Sequence, residues 1–543
     1  PGSAAPAPLA SPAQGARQVS VVSPTFAMRA HMPVRVSVAL ANGAPLFRDV
    51  VFEPDAPTSE IFSRAELALG QQVHALTAPG GRCLDRSLVV RLAGLRSSNV
   101  LTALVPPQVS IYSTGSAFVA VRADGGSATA WGDAACGGGC SRGVREQLSG
   151  GVLRVYATER AFAALKRGGS VVTWGDRQCG GDSAAVQEQL ASDVYHICAT
   201  ESAFAALKGD GSVVAWGDAD CGGDSGLVRW QVAYDVQRLA ATKSAFAAIK
   251  GDGSVATWGD ENNGGDSSGV QSYLVADVLR VFATDAAFAA LRRNGSLVTW
   301  GNAGSGGDSS GVDEELSEGV ESVSSTAAAF CALRTDGSVV TWGHGPSGGD
   351  SSKVREQLQR DVLRVYASHG AFAALKADGS VVTWGHPTCG GSGESLREVS
   401  IEKRLSMKSI PEHLSYEMEA VSVQELLASG VEHIVASSAA FAAIKADGSV
   451  VAWGDCASGG DCSKVAKDLA RGTRQVVASL HAFAALMASG AVVTWGGQTS
   501  GGDSHAVQKQ LARDVDCVYA TQHAFAAVKA GGDVVTWGDE GRG

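Results

Sequence analysis

Seven aspartates recur in one Gly-Gly-Asp setting: Asp182, Asp224, Asp266, Asp308, Asp350, Asp461 and Asp503. Carboxylates repeated at one position of a tandem unit could ring one face of a folded array. They would then present an acidic rim to a basic partner, or weak calcium sites. Calcium takes about six to eight oxygens, and one Asp per unit supplies too few. The same residues also suit helix N-caps and turns, where a short acceptor side chain satisfies unpaired backbone N–H groups.

The eleven cysteines offer a second chemistry. Cys136, Cys179, Cys221 and Cys389 share one loop position, five residues after a Trp, while Cys136 with Cys140 and Cys456 with Cys462 make loose pairs without a nearby His. Structural zinc needs four ligands at tight paired spacing. We therefore read the thiols as reduced and structural, with no metal and no cofactor. Reduced thiols point to an intracellular setting, cytoplasm or nucleus. The histidines of the array recur at no position shared by a majority of units, no nucleophile stands beside a matched base, and a phosphate-binding lysine loop is missing. We expect no catalytic residues and no enzyme.

What positions these residues is a repeat. Trp-Gly stands at Trp131, Trp174, Trp216, Trp258, Trp300, Trp342, Trp384, Trp453, Trp495 and Trp537, in steps of 43, 42, 42, 42, 42, 42, 69, 42 and 42 residues. A fixed period of this size means a repeat architecture. One unit runs Val362 to Ser368, then Ala371-Phe372-Ala373-Ala374-Leu375-Lys376, then Asp378-Gly379, then Ser380-Val381-Val382-Thr383-Trp384-Gly385. The pattern predicts three short strands. Asp-Gly, Gly168-Gly169, Asn294-Gly295 and Gly531-Gly532 all occupy the second connection, and all tolerate the positive φ of a tight hairpin. The middle strand is apolar on both faces, so it should lie sandwiched between neighbours. After each Trp-Gly, a Gly-Gly-Asp-Ser-Ser turn and a Val-x-x-x-Leu stretch such as Val354 to Leu358 predict one or two helical turns.

Three segments follow. Residues 1–32 are rich in Ala, Pro and Ser and read as a disordered lead. Residues 33–106 predict two strands around Asn42-Gly43 (Val34 to Leu40, Leu46 to Phe52), a helix over Ser59 to Leu69, a short strand at Val73 to Leu76 and a last strand at Val100 to Val105. Residues 109–543 are the array, mainly β, with an insertion at 393–419. That insertion carries Arg397, Glu398, Glu402, Lys403, Arg404 and Lys408. It reads as a charged contact loop with helical character. The chain opens on Pro1 and ends six residues after Trp537, which fits a fragment or a processed chain.

Charge excludes some partners. Residues 1–108 hold nine Arg against six acids, whereas the remainder holds 35 basic and 49 acidic residues. An acidic array is poorly suited to a phosphate backbone, so we expect no nucleic acid. No run approaches the length of a membrane-spanning helix, so we expect no membrane partner.

The stretch Ala371 to Gly385 is similar to the signature half of repeats in the regulator-of-chromosome-condensation family, and the 42-residue unit is closer in length to the bacterial β-lactamase-inhibitor protein II branch. The resemblance covers residues 109–543 and implies a β-propeller, usually of seven blades. The chain departs from it: Gly-Gly-Asp-Ser replaces the family's Asn-x-x-Gly-Gln-Leu-Gly, and Ala mostly replaces the His before the middle strand. The insertion leaves the next unit in register. We therefore favour ten continuous repeats, in one larger ring or an open array, over a seven-bladed ring plus three units.

Residues 33–106, with Leu84 to Leu88, Ala93-Gly94-Leu95 and Leu101 to Leu104, resemble the ubiquitin-like β-grasp. Together the two parts resemble the propeller region of HERC-type ubiquitin ligases without their catalytic lobe. These resemblances imply a non-enzymatic interaction scaffold. Its propeller would hold a protein client, and ubiquitin-pathway receptors would read its first domain. The alternatives are guanine-nucleotide exchange on a small GTPase, a non-catalytic fragment of a HERC-like ligase, and an inhibitor of one enzyme.

Overall fold

The computed structural model describes residues 34–40, 45–52, 61, 64, 75–77, 99–104, 109–122, 125–391, 398–404, 416–530 and 533–539. The lead at 1–32 and the motifs Leu84 to Leu88 and Ala93 to Leu95 lie outside them. The chain divides into two compact units, Pro1–Pro106 and Pro107–Gly543.

In the first unit, β1 (Val34–Leu40), β2 (Pro45–Phe52), β3 (Ala75–Thr77) and β4 (Asn99–Leu104) form one mixed sheet in the order β2-β1-β4-β3. β1 pairs antiparallel with β2 and parallel with β4. Val36 and Val38, two apart on β1, are fully buried, as strand alternation requires. Ile61 and Arg64 are helical, with Ile61 buried and Arg64 exposed.

Among its described residues, the second unit holds ten three-stranded antiparallel sheets. In the seventh, an inner strand (Val362–Ala367), a middle strand (Ala371–Lys376) and an outer strand (Val381–Gly385) pair in chain order. Ala371 to Leu375 are all buried. One face of this strand, Phe372 and Ala374, packs on Ala329, Cys331 and Leu333 of the sheet before. The other face, Ala371, Ala373 and Leu375, receives Phe441 and Ala443 of the sheet after. Alanine at the contact lets the sheets approach, and each Phe stacks on the Trp of its own sheet, as Phe372 on Trp384 at 5.3 Å.

The same contact closes the array. Ala524, Ala526 and Val528 of the tenth sheet receive Ile111 and Phe118 of the first. The result is a closed β-propeller of ten blades. The resemblance implied seven. Blade number follows from the angle at each interface, and ten near-identical Ala/Phe contacts complete the turn here.

From the second blade to the tenth, each junction with the preceding blade is tied by the Trp indole. Trp300 Nε1 donates to the Gly264 carbonyl of the preceding blade at 3.1 Å, and Trp174 does the same to Gly137 at 3.0 Å. The acceptor glycines sit in the left-handed region. Gly180 has φ +89°, and a Cβ there would lie 2.6 Å from the Phe204 ring. Only glycine fits.

The linkers hold short helical turns, many of them 3-10, as in Ala184–Val186 and Gly226–Val228. The insertion differs from its sequence reading. Glu398–Arg404 and Tyr416–Ser422 pair as an antiparallel hairpin, not a helix. Val399 and Ile401 alternate with Ser400 and Glu402, a period of two that prevails over the charged composition. Arg397 and Lys408 lie outside the described residues. Ser422 then opens the helical turn Val423–Leu426 with a reciprocal cap to Glu425, and the next blade resumes in register.

Candidate binding site at the ring axis

A buried hydroxyl sets the turn between the inner and middle strands of every blade. Thr284 Oγ1 donates to the Ser305 carbonyl at 3.0 Å and accepts from the Ala287 N–H at 3.0 Å. Thr158, Thr200 and Thr242 repeat the geometry, and Ser368, Ser437 and Ser479 supply the same hydroxyl where Thr is absent. Held this way, the next residue of each blade is brought to the ring axis.

These next residues are linked in sequence round the axis. The Gly115 N–H donates to the Glu159 carbonyl, Glu159 to Glu201, Glu201 to Lys243, Lys243 to Asp285, and Asp285 to Ala327. The chain continues through His369, Ser438 and Leu480 to the Gln522 carbonyl, each bond between 2.9 and 3.0 Å. They line a cavity of about 1000 Å³ to which all ten blades contribute.

Their identities are the finding. The middle strands are near copies of one another, yet this column reads Gly115, Glu159, Glu201, Lys243, Asp285, Ala327, His369, Ser438, Leu480, Gln522. One side of the mouth is charged. Lys243 Nζ lies 3.1 Å from Glu201 and 3.2 Å from Asp285. Partial burial disfavours the Lys243 charge, but the hydrogen bonds it donates to the two carboxylates outweigh this and hold the ammonium above its usual range. Behind Glu159, Arg160 pairs with Asp176 at 3.3 Å. The other side carries an imidazole, a hydroxyl, an apolar side chain and an amide. There His481 Nδ1 lies 3.2 Å from Ser438 Oγ and 3.1 Å from Ser458 Oγ.

The seven Gly-Gly-Asp aspartates lie elsewhere, outside the axial cavity. Each accepts from the backbone N–H two residues on: Asp182 from Ala184, Asp224 from Gly226, Asp266 from Ser268, Asp308 from Ser310, Asp350 from Ser352, Asp461 from Ser463, Asp503 from His505. Those donors hold the Asp350 and Asp308 carboxyls below their usual range. The loop cysteines lie beside the hydroxyl network, where the Cys179 and Cys389 carbonyls accept from Thr158 and Ser368. The ten described cysteines are free thiols. Among the described residues, no three His, Cys, Asp or Glu side chains gather to hold a metal.

A search for residue types repeated in every unit passes over a column that varies from blade to blade. The signal was present. It lies directly after the buried Thr or Ser.

No protein-family model matches the chain, and no curated protein matches it. Among solved structures, it is similar to Prp20p from Saccharomyces cerevisiae (16% identity, 65% of this chain and 83% of that one, TM-score 0.30). It is also similar to the CRINKLY WD40 ectodomain of the Arabidopsis thaliana receptor kinase ACR4 (17% identity, 54% and 93%, TM-score 0.26). A third is the computationally designed Ika8 protein (12% identity, 71% and 96%, TM-score 0.29). At scores this low they lend the ring no function. The propeller assignment stands on the ring closure itself.

Proposed function

We propose that the protein is a non-enzymatic interaction scaffold whose propeller holds a protein client at the axial mouth. The observation that carries this reading is the column Gly115 to Gln522. Ten blades that agree on their packing residues diverge at this position of the axial lining. A site whose residues change round the ring suits recognition of an asymmetric partner, because the arcs of the mouth offer different charge and shape. The charged arc Glu159–Asp285 would meet a polar, charge-bearing segment, and the arc His369–Gln522 a less charged one. The seven Gly-Gly-Asp carboxylates are a secondary part of the proposal, as an acidic rim for a basic stretch of the same client. The backbone bonds to their Oδ1 atoms leave them the formal charge.

The first unit's sheet order, with β1 parallel to β4, supports a ubiquitin-like β-grasp read by ubiquitin-pathway receptors. An intracellular setting belongs to the same reading. The exchange-factor and HERC-fragment readings gain no separate observation.

The test is client capture by the full chain and by a variant with Glu159, Glu201, Lys243 and Asp285 all changed to Ser. Loss of specific clients from a variant of unchanged melting temperature supports the mouth. An identical client set overturns it. Stimulated nucleotide release from a panel of small GTPases would move the assignment to exchange.

A further inference from the structure

A second surface lies away from the mouth. The linkers entering the fourth and fifth blades end beside the start of the preceding outer strand. There the Val213 N–H donates to the Val232 carbonyl and the Val255 N–H to the Leu274 carbonyl. That is the Asp-Gly hairpin end, whereas the mouth lies at the Trp-Gly end. On these two linkers Trp230 is 83% exposed, Tyr234 61% and Tyr273 54%. At the position of Trp230 the other linkers carry Glu in five cases, Lys in two and Ser in one; at the position of Tyr273 they carry Gln in five, an acid in two and Leu in one. Packing does not explain the change to aromatic rings, because the core contact is made by Val232 and Leu274, both buried. Exposed Trp and Tyr are the side chains that most often anchor a protein interface.

The charge round these rings is negative. The two linkers carry Asp224, Asp235, Asp266 and Asp277 close to them in sequence, against one cation, Arg229. On the linker after, residues 309–318 hold four acids and no cation, and Glu314 and Glu315 stand where Trp230 and Tyr273 stand in theirs. On the linker before, residues 183–192 hold Glu188 and no cation. The cations of the nearby hairpins are engaged. Arg293 pairs with Asp277 at 3.6 Å, and Arg292 Nε is buried. Lys208 adds its attraction to the Ser212 hydrogen bonds that hold the Asp210 carboxyl below its usual range.

One ring already holds a cation. Lys166, Lys376 and Lys529 donate to a linker carbonyl in their blades, whereas the equivalent Lys250 Nζ lies 4.2 Å over the Tyr234 ring. Trp230 and Tyr273 offer the same kind of ring to a cation from outside, and Trp attracts one most strongly. A carboxylate-rich segment, anionic lipid or a nucleic acid would be repelled here. We infer that this surface docks an amphipathic protein segment whose apolar side chains are flanked by Lys or Arg. Its apolar side chains pack on Trp230 and Tyr273, and its cations meet the carboxylates on both sides. Asp224 and Asp266 belong also to the acidic rim proposed above, but the exposed rings are confined to these two linkers, so the surface stands apart from the mouth.

The test uses the full chain and three fluorescent twelve-residue peptides: Leu or Phe alternating with Lys, the same apolar residues alternating with Glu, and Ser alternating with Lys. Phosphatidylcholine vesicles form a separate arm. The Leu/Phe–Lys peptide should bind, and Trp230→Ser and Tyr273→Gln should each weaken it by at least about tenfold, the loss expected of an interface hot spot. Both substitutions leave the charge unaltered and place residues that other linkers carry, so melting temperatures should not change. Asp235→Asn combined with Glu314→Gln should weaken the same peptide about threefold, the scale of exposed ion pairs. The Ser variant of the mouth should bind it as the parent chain does, which separates this surface from the axial site. The inference is overturned if the Leu/Phe–Lys peptide does not bind, if Trp230→Ser or the Asp235→Asn, Glu314→Gln double variant binds it as well as the parent, or if the mouth variant loses it. Equal or tighter binding of the Glu peptide, the Ser–Lys peptide or the vesicles overturns it too.

Discussion

The indole nitrogen of Trp453 donates to the carbonyl of Gly390 at 3.2 Å, across 63 residues of chain. At the regular junctions the same bond spans 36 or 37 residues. The seventh and eighth blades therefore meet as the other indole-tied pairs do, although the insertion separates them in sequence. Deleting residues 393–419 should leave the ring closed. The melting temperature should move by less than it does for any core truncation, because loop length costs little free energy. A fall as large as that of Phe441→Ala would show that the insertion is part of the interface.

Phe288 is fully buried and stacks on Trp300 at 5.2 Å. Phe288→Ala should cost about 3–5 kcal/mol through the cavity it leaves. Chemical denaturation reads this directly, and an unchanged midpoint would rule out the stacked-blade packing.

Thr284→Val removes a hydroxyl that serves a buried backbone N–H at Ala287 and a partly buried carbonyl at Ser305. The expected loss is about 1–3 kcal/mol, the cost of leaving such groups unpaired. Thr284→Ser keeps the hydroxyl, as Ser368, Ser437 and Ser479 do in their own blades. It should be clearly milder, and equal losses for the two variants would refute the network.

Asp361 has φ +64°, a left-handed conformation that a side chain adopts at a cost, and Gly319, Gly430 and Gly472 fill the equivalent position in other blades. Asp361→Gly should change stability by less than about 1 kcal/mol, whereas Asp361→Val should destabilise by more than that. Thermal melts of the two variants decide it.

The hairpin acids Asp210, Asp252, Asp336, Asp378 and Asp447 are held below the usual carboxylate range, first by a Ser hydroxyl and then by a backbone N–H. Their folded pKa lies below the unfolded one, so their stabilisation is complete above the ordinary carboxylate range and is lost as pH falls through the depressed values. The contribution of these acids to melting temperature should be flat between about pH 5 and 7 and fall below about pH 4. Asp378→Ala should lose part of that dependence. An unaltered acid limb in that variant would exclude Asp378 from it.

Much of this architecture was legible. The run Ala-Phe-Ala-Ala-Leu announced a strand buried on both faces, and Asp378-Gly379 announced its hairpin. Ring size was not legible, since it depends on a small angle summed over ten interfaces and leaves no trace in any one motif. The insertion was misread because Glu402, Lys403 and Arg404 drew attention from the alternation of Val399 and Ile401. The mouth was overlooked for a different reason. Glu159, Lys243 and His369 look like noise until the fold stacks them in one column.

The backbone links from Gly115 to Gln522 also bear on how a client would bind. From Glu159 to Leu480 each turn is held by both neighbours, so rotating one peptide there would break bonds on both sides of it. A mouth fastened in this way is already ordered before any partner arrives. Binding there would carry little loop-ordering entropy, and affinity would respond to the side chains alone. Outside the ion-paired Glu201, Lys243 and Asp285, single substitutions in the column should therefore act locally and nearly additively, so that recognition could be retuned one blade at a time while the ring stays the same.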